Sequence, residues 1–198
     1  GSGAMSAAGE ALPAAPDLVL FRVARSWSGN LDNESALTGR VSSSGLAYSN
    51  SLRTGDDATN ETSRGLATFP LDALPQVVQV TNASVWMTRT APEGSPFDDL
   101  GSLTAVAVDY TVLGASLFDA PALGSTATGN TPLLSTGLYI LTVTDVLEET
   151  LDGMDPLDPR FQLRFAFETL TDADGTADSV SFTKNAQYPY LMVDLLVE

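Results

Sequence analysis

The feature that most constrains this chain is a period of two in its apolar side chains. Phe161, Leu163, Phe165 and Phe167 fall on one parity and Gln162, Arg164 and Glu168 on the other. Successive side chains of a strand point to opposite faces, so this is the signature of a half-buried β-strand. The same reading fits Val106, Val108, Tyr110 and Val112 against Asp109 and Thr111, and Leu191, Val193, Leu195 and Val197 against Asp194 and Glu198. Further strands are expected over 18–25, 66–71, 77–88, 138–144 and 180–183. Turn residues separate them and no long helical period intervenes. The expected fold is all-β, an antiparallel jelly-roll β-sandwich with one short helix.

That helix is expected after Thr144. Asp145 is placed to cap it, Glu148 follows three residues later, and Leu147 and Leu151 share a face before Gly153 ends it. Gly1 to Met5 reads as a cloning scar, and residues 6–16, small and Pro-containing, as a flexible linker. Residues 17–198 then form one domain.

Composition narrows the chemistry. The 198 residues include no histidine and no cysteine. Imidazole bases, thiolate nucleophiles, disulfides and His or Cys metal sites are therefore excluded. With 25 acidic side chains against nine basic ones, the formal charge is -16. Such a surface repels nucleic-acid phosphates and anionic headgroups, and no apolar run is long enough for a membrane helix. The acidity and the single lysine, Lys184, fit a secreted or cell-surface microbial protein. No spacing identifies a catalytic carboxylate pair, so a non-enzyme is expected.

Four segments, in order, resemble the bacterial and archaeal DNRLRE-domain family. Ser63 to Pro75 (SRGLATFPLDALP) is similar to its "R-x-L-x-F-D-L-S-x-L-P" strand and turn, with Pro70 where the family usually has Asp. Val80 to Met87 (VTNASVWM) is similar to its "V-x-x-A-x-L-x-L" strand, and Val143 to Leu147 to its "V-T-x-x-V" strand end. Phe161 to Phe165, Thr171 to Gly175 and Pro189 to Val193 resemble its final strands. The resemblance implies a jelly roll related to carbohydrate-binding modules, with roles in binding, anchoring or stalks. Its implied partner is a polysaccharide or a surface protein.

Sugar binding calls for flat apolar ring faces rimmed by polar groups. Trp27, Tyr48, Tyr188 and Tyr190 lie in polar or turn-like surroundings. Trp86 shares the parity of Ser84 and Thr88, the outer side, while Ala83, Val85 and Met87 take the inner one. Ordinary packing is the competing reading for each ring taken singly.

Two acidic loops flank the Phe161 strand. Asp172, Asp174 and Asp178 alternate around Gly175, as oxygen ligands for calcium do, though Ala177 and Thr183 occupy positions where an EF-hand needs Gly and Glu. A hairpin turn rich in Asp and Gly is the competing reading. Asp155 and Asp158 form the second loop, able to share a structural calcium if the two loops meet. Asp56, Asp57, Asn60 and Glu61 make a third oxygen-rich stretch.

Overall fold

The computed structural model describes residues 24–90, 92–129, 137–185 and 188–198. The expected linker and most of the strand expected over 18–25 lie outside them. The described strands are β1 (Arg25–Asp32), β2 (Gly39–Ser42), β3 (Ala47–Tyr48), β4 (Leu52–Gly55), β5 (Ser63–Pro70) and β6 (Val77–Arg89). After these come β7 (Leu103–Ala107), β8 (Thr126–Gly129), β9 (Gly137–Thr142), β10 (Arg160–Phe167), β11 (Ser179–Phe182) and β12 (Tyr190–Val197). Two α-helices, α1 (Pro96–Asp99) and α2 (Thr144–Gly153), interrupt them.

Every pairing is antiparallel. One layer runs β1-β12-β6-β9, and the other runs β11-β4-β5-β10-β7-β8 with β2 and β3 added at β5. The layers join where β11 meets β6 through the single pair Phe182 and Arg89, and β8 lies beside β9 at the far side. The result is a sandwich-like all-β fold, as the alternation predicts.

Alternation also sets the core. Phe161, Leu163, Phe165 and Phe167 from one layer meet Ala83, Val85, Met87, Leu191, Val193 and Leu195 from the other, each 4% exposed or less. Trp27 joins this core. It stands opposite Leu195 in β1, and its ring passes so close over Gly29 that a methyl there would fall 2.3 Å from its Cη2. Trp27 therefore points inward and packs, half-buried, against this core.

Two expectations are corrected. The strand expected over Val106 to Val112 ends at Ala107. Leu103, Ala105 and Ala107 face the main core, while Val106, Val108 and Tyr110 turn to a second cluster with Leu37, Val41, Leu66 and Leu117. Val112 is exposed. The local pattern was real, but the chain leaves the ladder and wraps over the outer face of β5 and β10. Gln162, expected outside, is consequently buried there. Its side chain donates to Thr68 Oγ1 and the Tyr110 carbonyl and accepts from Tyr110 N, so the buried amide is satisfied.

Helix α2 forms where expected, with Val146 and Leu147 buried. Its cap differs: Val143 is the N-cap and makes no side-chain cap bond, and Asp145 sits inside the first turn. Thr144 has a different task, accepting Ala83 N with its hydroxyl and tying the helix start to β6.

Candidate functional site

The sequence candidates are spread over several places. On the outer face of β12 and β6, Tyr190 and Trp86 are register partners, and their rings lie 5.7 Å apart at 21°. Trp86 is also opposite Ile140 of β9, and Tyr190 opposite Asp32 of β1. One row across four strands therefore reads Asp32, Tyr190, Trp86, Ile140. Tyr188 adds a third ring 5.5 Å from Tyr190.

Each ring is held by a nameable contact. The Trp86 indole leans over Ser84 and donates to its hydroxyl at 2.9 Å. Tyr188 N donates to Asn185 Oδ1, and Asn185 N donates to the Tyr188 carbonyl. Asn33 Nδ2 then donates to the carbonyls of Asn185 and Pro189, pinning this segment beside β1. Burial, and then proximity to Tyr188, push the Tyr190 hydroxyl above its ordinary pKa. All three rings are half-buried, and Ile140 and Leu138 beside them are 46% and 39% exposed.

Tyr48 is elsewhere. It sits on β3 of the other layer, opposite Arg40, whose guanidinium lies 4.5 Å from the ring centroid. That cation already occupies one of its faces.

The acidic loops lie at opposite ends of β10. Asp155 accepts its own loop's Leu157 N, and Asp158 pairs with Arg160 at 3.0 Å, near Glu34. They line a cleft of about 620 Å³ beside α2 with Glu149 and Asp109. Asp172 lies beyond the other end, the eight residues of β10 spanning about 23 Å. The two loops therefore do not meet, and Asp155 and Asp158 are not brought to the Asp172 segment.

That segment is not a hairpin turn either. β10 pairs with β5 and β7, while β11 pairs with β4 and β6, so residues 168–178 form a crossover. Asp172 and Asp174 each accept the backbone N–H two residues on, giving tight Asx turns around Gly175. Asp99, at the end of α1, joins Asp172 and Asp178, one carboxylate oxygen from each lying within 4.8 Å of the others. Although its side chain is exposed, slight desolvation, reinforced by the Asp178 and Asp172 carboxylates, raises the Asp99 pKa. Asp99 had no local signal in the sequence: 73 positions separate it from Asp172.

The third oxygen-rich stretch is drawn to the same end. Asp56 and Asp178 exchange backbone and side-chain bonds, Asp56 N to the Asp178 carbonyl and Asp178 N to Asp56 Oδ1. Asn60 accepts Gly175 N. Asp57 accepts Thr59 and Glu61, and the Thr59 hydroxyl above all holds its carboxyl below the usual range. Gly94 lets the chain pass here. Its φ is +62°, and a Cβ would fall 2.3 Å from Asp178 Oδ1 and 2.2 Å from the Ala177 carbonyl.

Among the described residues, no helix is long and apolar enough to cross a membrane. No protein-family model and no curated protein sequence matches this chain.

Proposed function

We propose that this chain is a non-catalytic binding or adhesion module of a secreted or cell-surface microbial protein, and that its ligand is a neutral carbohydrate. The carrying observation is the outer-face row in which Trp86 and Tyr190 stand side by side, extended by Tyr188. Contiguous rings offer apolar surface to the C–H faces of a sugar, and Asp32, Asn30 and Thr88 supply polar groups at the rim. A charge of -16 disfavours anionic polysaccharides by plain repulsion. The DNRLRE resemblance points the same way, toward a jelly-roll module that binds or anchors.

Affinity electrophoresis through gels containing neutral polysaccharides tests this reading. Retardation of the wild type, lost in Trp86→Ala and Tyr190→Ala and kept in Tyr48→Ala, is the expected result. A wild type that no neutral polysaccharide retards overturns it.

A second reading, a stalk, surface-layer or appendage subunit, is favoured by Leu138 and Ile140, whose exposed side chains extend the same face. Protein contacts favour such apolar strips. Sedimentation that becomes concentration-dependent in the wild type and not in Ile140→Lys would support it over the sugar.

A further inference from the structure

We propose that the end of the sandwich formed by α1, the 171–178 segment and the β4–β5 loop is a calcium site, with Asp99, Asp172 and Asp178 as its carboxylate ligands. One oxygen from each lies within 4.8 Å of the other two. Two oxygens sharing one calcium at about 2.4 Å stand no more than about 4.8 Å apart, so the three spacings are compatible with one common ion.

Clustered acids alone would be unremarkable on so acidic a surface. The independent observation is the state of Asp178. It is 1% exposed, and its Oδ2 is buried with no hydrogen-bond donor among the described residues. Its Oδ1 is already committed to Ser95 N at 2.6 Å. A carboxylate oxygen removed from water without a donor or a cation is costly, and buried charges in proteins are paired or bind metals. Asp56 compounds the problem: it too is 1% exposed with an unpartnered Oδ2, and it is hydrogen-bonded directly to Asp178. Arg53 approaches this end, but its guanidinium donates to the Asp56 carbonyl and to Glu93. A divalent cation among Asp99, Asp172 and Asp178 supplies the missing positive charge.

The donor set selects the ion. All three ligands are hard carboxylate oxygens, one from α1 and two from the 171–178 segment, which suits the six to eight loosely arranged oxygens of calcium, with backbone carbonyls and water completing the shell. Softer metals prefer imidazole or thiolate, and the chain contains neither. Asp174 is not assigned to the ion, because the carboxylate oxygens that approach one another are those of Asp99, Asp172 and Asp178.

Calorimetry and thermal melts of the intact chain, first treated with chelator, test the proposal without any sugar. Calcium chloride should bind and raise Tm by about 5 °C or more at a hundredfold excess over Kd, beyond sodium chloride of equal ionic strength. Asp99→Asn and Asp172→Asn alter exposed side chains and should fold normally while losing most of that rise. Asp155→Asn and Asp158→Asn, at the other end of β10, should keep it. The proposal is overturned if calcium gives no more than sodium chloride. It is equally overturned if Asp99→Asn and Asp172→Asn retain full affinity, or if the Asp155 and Asp158 variants abolish binding.

Discussion

The outer faces of the two layers began from the same alternating pattern and met different fates. On β5 and β10 the segment from Val108 to Ala120 folds across the sheet, burying Tyr110 and Leu117 in a second apolar cluster. Gln162 is enclosed, and Arg164 donates to the carbonyls of Leu117, Phe118 and Ala120. On β6 and β12 the equivalent positions carry Trp86, Tyr190 and Met192, all only half-buried. A polar parity can thus become a hydrogen-bonded interior layer, and a face rich in aromatics can stay open. Open aromatic area is the side of this contrast that suits recognition.

Substitutions can break the contrast, beginning with the inner face that both layers share. Phe165→Ala removes a ring with no exposed surface and should cost about 3–5 kcal/mol, read as a lower midpoint in denaturant melts. The covered face comes next. Gln162→Ala leaves Tyr110 N without its buried acceptor and should cost about 2 kcal/mol, whereas a solvent-facing glutamine would cost almost nothing.

Alkaline pH should stress the covered and inner layers before the open one. Burial raises the Tyr139 pKa to about 12, a shift that the nearby Arg89 partly offsets. Burial raises Tyr110 likewise. Each phenol therefore binds its proton more tightly folded than unfolded. The stability they contribute is intact below about pH 10, where a free tyrosine begins to ionise, and falls as pH rises from there through the folded value. Thermal melts between pH 9 and 12 should show this decline, and Tyr139→Phe should lessen it. Since the Tyr139 hydroxyl has no hydrogen-bond partner among the described residues, that variant should lose little or no stability at neutral pH.

Among the replacements by alanine, the smallest stability effect belongs to the open face. Trp86→Ala should cost about 1 kcal/mol or less in the same denaturant melts, since its ring lies half-buried on the outer face and leaves no enclosed cavity behind. A cost matching that of Phe165→Ala would mean that this ring holds the fold together and would erase the difference between the two faces.

Legibility in the sequence followed the range of the interactions. The strands of Phe161 and Leu191 were readable because pleating links each residue to its neighbour two positions away. Helix α2 was readable from Leu147 and Gly153, although its cap was not, because the Thr144 hydroxyl is engaged by β6. Trp86 was correctly placed outside by parity. Val106 to Val112 misled because the alternation continues past the point where the ladder stops, and the second cluster needs those apolar residues just as the core does. The acidic loops were visible as composition, but their positions depended on the direction and length of β10.

By itself, then, the sequence determined the two-residue period, the antiparallel all-β class and the absence of imidazole and thiol chemistry, since these are properties of local spacing and residue type. Only the tertiary structure decided which outer face is covered, that Tyr190 stands against Trp86, and that Asp99 joins Asp172 and Asp178. Those contacts bridge about 70 to 100 positions of chain. They depend on strand order and register, which many distant pairings settle together and no local pattern records.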